Sequence, residues 1–134
     1  MTTMTTTTQT TATPTTSVRI GLALSIIMGL GNLPFLFLDV DWGTSSPPFA
    51  LLLLNAAIGM VSVVCAAIAW NSGNRLAIRV NAAALIVNAL MVVPGLFIET
   101  TTFITVLSAV IVVATVVAVV LMMRRTPTPV AVVD

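Results

Sequence analysis

The stretch Ala50–Glu99, ALLLLNAAIGMVSVVCAAIAWNSGNRLAIRVNAAALIVNALMVVPGLFIE, decides how this chain folds. It holds two apolar runs separated by Asn71-Ser72-Gly73-Asn74, and its only charges are Arg75, Arg79 and Glu99. Each run has about 20 residues, which at about 1.5 Å rise per residue crosses the roughly 30 Å hydrocarbon layer of a bilayer. Gly73 offers a left-handed stop for the first run and Asn74 a cap for the second. So short a connection makes the two helices antiparallel. The segment therefore reads as a transmembrane hairpin with its arginines at the turn and an acid at the far end.

The rest of the chain agrees. Of its 134 residues 58% are hydrophobic and 7% charged, and the mean hydropathy is +1.15. Soluble domains are about a quarter charged, so lipid is the solvent for most of this chain. The same composition excludes much chemistry. There is no His, no Tyr and no Lys, which removes the usual general base, metal ligand and Schiff-base amine. Cys65 is alone and sits in an apolar run, where a thiol has little tendency to ionise. A net charge of +1 gives no footprint for nucleic acid. The expectation is a protein that is not an enzyme and carries no cofactor.

Four spans are expected, at about 20–38, 48–70, 78–98 and 103–123, forming an all-α, polytopic four-helix transmembrane bundle over residues 18–125. Residues 1–17, with eleven threonines among the first sixteen, have nothing large to bury and read as a disordered tail; residues 126–134 form a short C-terminal tail. The first span lacks the basic start and small-residue exit of a cleaved signal peptide. Ser45 and Ser46 before Pro47 and Pro48 suit the start of the second helix, and Thr100–Thr102 that of the fourth. Arg19, Arg75, Arg79, Arg124 and Arg125 all fall at one end of the antiparallel set, and Asp39, Asp41 and Glu99 at the other. The positive-inside rule places that basic end, with both termini, in the cytoplasm. Trp42 and Trp70 fall at opposite interfaces. The arginines set topology and can also meet anionic lipid headgroups.

The chain aligns with itself at a shift of sixty residues. Val18-Arg19-Ile20 falls over Ile78-Arg79-Val80, and Pro34–Asp39 over Pro94–Glu99. This predicts two helical hairpins related as a parallel repeat about an axis along the membrane normal.

Small and polar residues recur at steps of three and four: Gly21, Ser25, Gly29 and Asn32; Asn55, Gly59, Ser62, Ala66 and Ala69; Asn81, Ala84, Asn88, Met91 and Gly95; Thr105, Ser108, Val112 and Thr115. Such stripes let helices approach closely in lipid. Counting rise from the basic anchors puts Asn32 and Asn55 at about 20 Å, and Ser62, Asn88 and Thr115 at about 12 to 14 Å. These five are the candidate intramembrane polar residues, read either as packing hydrogen bonds or as a polar track. No ionisable side chain lies within a span, so coupled transport is disfavoured. Pro34 and Pro94 should unwind or kink the ends of the first and third helices, freeing the carbonyls of Leu30 and Leu90. The three outer acids Asp39, Asp41 and Glu99 are either markers of helix ends or ligands for a divalent cation; neither reading supplies a catalytic group or a firm metal site.

The segments AIAWNSGNRLAIR and VVPGLFIE, with arginine as the sole basic residue, resemble small four-pass integral membrane proteins of high-GC Gram-positive bacteria that have no assigned function. The resemblance implies a multi-pass protein of the plasma membrane and carries over no functional residue. By size the chain also compares with the four-pass small multidrug transporters, whose first helix bears an embedded Glu; Ile20–Leu38 here has no acid. The functional expectation is an accessory or scaffold subunit, or a homo-oligomer, acting through helix contacts with a membrane-protein partner. The alternative is a small pore, such as a phage-type holin or an ion-leak protein of superinfection exclusion.

Overall fold

The computed structural model describes residues 13–40, 47–97 and 99–124. Among these the fold is four helices and no strand: α1 Thr16–Gly31, α2 Phe49–Ser72, α3 Arg75–Val92 and α4 Thr102–Met123. Each, with the short turns that extend α1 to Leu36 and α3 to Leu96, is long and apolar enough to cross a membrane. The chain is a multi-pass membrane protein. Helices α1 and α3 each pack against both α2 and α4, so the four form a ring in which sequence neighbours are adjacent and α4 closes back onto α1. Asp41, Trp42, Ser45, Ser46, Arg125 and most of both tails lie outside the described residues.

The helix ends follow from local chemistry. Gly73 adopts the left-handed conformation (φ 63°, ψ 19°) and its N–H donates to the Ala69 carbonyl at 2.8 Å. Asn74 then accepts from the Leu76 N–H at 2.9 Å and caps α3, so two residues reverse the chain. At α2 the expected proline in the first turn stands one place earlier. Pro48 is itself the cap, and its carbonyl receives the Leu51 N–H at 2.9 Å. Thr101 is the N-cap residue of α4.

Neither α1 nor α3 reaches its proline as an α-helix. Both tighten into a 3-10 turn, Pro34–Leu36 and Val93–Leu96, and the carbonyl of Leu30 is taken up by the Leu33 N–H at 3.1 Å. Early unwinding, and not a kink within a continuous helix, is how the missing donor is accommodated. The two turns end alike: Phe37 at φ −116°, ψ −22° and Phe97 at φ −115°, ψ −12°, each donating its N–H to the proline carbonyl at 3.0 Å. That local geometry recurs at the sixty-residue offset of the sequence alignment. The expected starts at 20 and 78 shift to Thr16 and Arg75, because apolar content marks the hydrocarbon layer and the helix continues past it.

Packing depends on small residues facing inward. At the α1–α2 crossing a Cβ on Gly29 would lie 2.6 Å from the Gly59 carbonyl oxygen, and one on Gly59 would lie 2.8 Å from that of Gly29. Backbone touches backbone there, which glycine alone permits. Toward the arginine end Val18, Leu22, Ala66, Ala69, Ala77, Ala82, Leu85, Ala118 and Met122 form one buried cluster, while the bulky Leu, Ile, Val and Phe side chains of the outer faces are exposed. Lipid, unlike water, does not penalise that surface, so the interior can be built from alanine, glycine and serine.

A direct test is alanine scanning of glycine in detergent-reversible unfolding. Gly29→Ala and Gly59→Ala should each cost about 1–3 kcal/mol through overpacking. Gly31→Ala, whose Cβ would meet nothing within 4 Å, should be neutral or gain up to about 1 kcal/mol from helix propensity.

Candidate functional site

The buried polar side chains among the described residues are Ser25, Asn32, Ser62, Asn81, Asn88, Ser108 and Thr115, and none of them is ionisable. They owe their placement to a seven-residue spacing that occurs once on each helix: Ser25/Asn32, Asn55/Ser62, Asn81/Asn88 and Ser108/Thr115. Seven residues are close to two turns, so both members of a pair face the same seam about 10 Å apart.

In the layer nearer the arginine end, Ser25 and Ser62 both donate to Asn81 Oδ1, at 2.7 and 2.5 Å, and their own oxygens are 2.9 Å apart. Two hydroxyl protons serve three contacts, so the triad can be wired in more than one way without moving a heavy atom. Asn81 Nδ2 reaches Met122 Sδ on α4 at 3.4 Å, a weak acceptor. In the second layer the asparagines form a directed chain. Asn55 Nδ2 donates to Asn32 Oδ1 at 3.2 Å, and Asn32 Nδ2 donates to Asn88 Oδ1 at 3.3 Å. Asn55 Oδ1 is buried with no partner among the described residues.

This grouping corrects the depth count. Asn32 and Asn55 meet, and Ser62 lies in the lower layer, as expected, but Asn88 joins the upper layer and Thr115 donates to the Ile111 carbonyl of its own helix at 2.9 Å. The error lay in the anchor. Both bonded pairs across the ring, Ser25 to Asn81 and Asn32 to Asn88, are 56 residues apart, and that interval pairs Arg19 with Arg75. Arg79 is one turn further into α3, so counting from it made Asn88 about 6 Å too shallow. Ser25 and Asn81 complete the lower layer and were visible only as members of small-residue stripes; the shared seven-residue spacing was the signal for them.

Among the described residues no side-chain hydrogen bond joins the two layers. Between them stand the Gly29–Gly59 contact and Leu85, which is buried, and below them Leu22. Beyond the upper layer, where α1 unwinds before Pro34, a cavity of about 380 Å³ opens between α1 and α4. Met28, Phe35, Leu38, Leu107 and Ile111 line it, with Asn32 and Asn88 in its wall. Asp39 and Glu99 are exposed at this end. No group of three His, Cys, Asp or Glu able to hold a metal occurs among the described residues. At the opposite end Arg19, Arg75, Arg79 and Arg124 are exposed, and the Arg19 guanidinium lies 5.9 Å from the centre of the Trp70 ring, a cation–π distance. No protein-family model, curated protein or solved structure matches this chain.

Double-mutant cycles separate the two groupings. Ser62→Ala with Asn81→Ala should show a coupling of about 0.6 to 1.7 kcal/mol, whereas Ser62→Ala with Asn88→Ala should show none. Thr115→Val, whose hydroxyl serves its own helix, should cost less than about 0.5 kcal/mol.

Proposed function

We propose that the protein is a non-enzymatic multi-pass protein of the plasma membrane, with both termini in the cytoplasm, that acts through lateral contacts of its helices with another membrane protein or a second copy of itself. The observation that carries this reading is that the inward-facing small and polar residues are largely engaged in packing the four helices together. The small-residue stripes pack against one another within the chain, the polar groups bond mainly to one another, and the buried residues include no acid or base. What remains to meet other molecules is the outer surface, an apolar belt that includes Ile27, Met60, Val64, Ile86, Val113 and Val120. The cytoplasmic assignment rests on the arginines at one end and the acids at the other.

The pore reading drew on the two polar layers. The buried Leu85 and the Gly29–Gly59 contact stand between those layers, which supports the contact reading.

In vivo photocrosslinking from Met60, Val64, Ile86 or Val113 should capture a discrete partner or dimer at native expression; no product from any outer face would overturn the contact reading. In a Cys65→Ser background, single cysteines at Ser72 and Thr100 should be labelled from the cytoplasmic and opposite sides respectively. Reconstituted vesicles should leak no faster than protein-free ones.

A further inference from the structure

The α1–α2 seam at the arginine end differs from the rest of the outer surface. Exposed alanines occur on other faces too, at Ala57, Ala83 and Ala109, but among the described residues only here does an exposed tryptophan lie beside a gap. Here Ala23 on α1 and Ala67 on α2 leave a groove of about 500 Å³, walled by Ile26, Ile27 and the Trp70 ring. Arg19, Ala23, Ile26 and Ile27 are spaced to share one face of α1; the groove runs along that face from Ala23 to Ile27, about 6 Å of helix, and Arg19 stands one turn beyond its Ala23 end. Trp70 joins the two parts. Its ring walls the groove and also lies 5.9 Å from the guanidinium. One exposed cation therefore stands at the mouth of a slot that is otherwise apolar, at the depth where a headgroup meets its acyl chains.

We propose that this seam is a binding site for one anionic phospholipid, with the headgroup phosphate on Arg19 and the upper part of one acyl chain in the groove between Ala23 and Ala67. The charge complementarity selects the occupant. A neutral lipid fills the slot without using the cation, and a free phosphate uses the cation without the slot. Guanidinium suits phosphate because its planar donors can bond two oxygens at once, and the cation–π approach to Trp70 at 5.9 Å keeps the charge near the groove without consuming its N–H donors. The inference rests on the reading that the helices span a bilayer, but not on which side the arginines face.

Trp70 reports on its own site. In a Trp42→Phe protein reconstituted into vesicles, Trp70 fluorescence should be quenched by phosphatidylglycerol brominated on its acyl chains with an apparent affinity about fivefold that for brominated phosphatidylcholine, the preference expected of one cation near the headgroups. Arg19→Gln should abolish the preference and Arg79→Gln, an equal loss of charge one turn into another helix, should retain it. Ala23→Leu with Ala67→Leu should weaken quenching by both lipids while leaving helix content unchanged by circular dichroism. Equal quenching by the two headgroups, or equal loss of preference in the Arg19 and Arg79 variants, would overturn the site in favour of unspecific lipid contact. Inorganic phosphate that displaces the brominated lipid at millimolar concentration would overturn the role of the groove.

Discussion

The contact on which the rest of the structure depends is the approach of Gly29 to Gly59, where a single added carbon would fall within 3 Å of a carbonyl oxygen on the other helix. In water two helices come together because apolar surface leaves the solvent; in lipid that gain is absent, and association relies on close packing and on polar groups with no other partner. Backbone contact at this crossing brings α1 and α2 near enough for short side chains to bond across the seam. Ser25 and Ser62 meet on one side of it and Asn32 and Asn55 on the other, each within about two turns. With larger residues at the crossing, serine could not reach serine.

The polar layers then specify register. A ring of four apolar helices has many nearly equivalent sliding positions, and interhelical hydrogen bonds of modest strength discriminate among them because a displaced amide or hydroxyl in hydrocarbon goes unpaired. The amides and hydroxyls that bond across the seams come from α1, α2 and α3, and α4 joins them through Met122. The fourth is held chiefly by shape, with Gly21 seated against Met122 and Ala118, and Gly95 against Ser108. This leaves the molecule uneven along its length. The arginine half is a close-packed cluster of alanine, leucine and valine, and the acidic half, where both proline-bearing helices unwind, contains the cavity.

Among the described residues the buried side chains include neither an acid nor a base, and the charged groups lie exposed at the two ends of the bundle. At the α1–α2 seam two alanines and a tryptophan line a groove in the outer surface, with an arginine beside the tryptophan.

Length, charge placement and hydropathy determined by themselves the number of spans, their antiparallel order and the residues of the α2–α3 turn, because hydrocarbon leaves a backbone few alternatives to a full-length helix and Gly73 and Asn74 act through local geometry. The prolines were legible for the same reason. Tertiary structure alone decided which polar residues meet. The sequence repeat has a period of sixty, yet the hydrogen bonds across the ring follow an interval of fifty-six, so α3 pairs with α1 through Arg75 and not Arg79. Relative sliding of two helices is set by side-chain contacts between residues distant in the chain, and neither periodicity nor a count of rise along one helix contains that information.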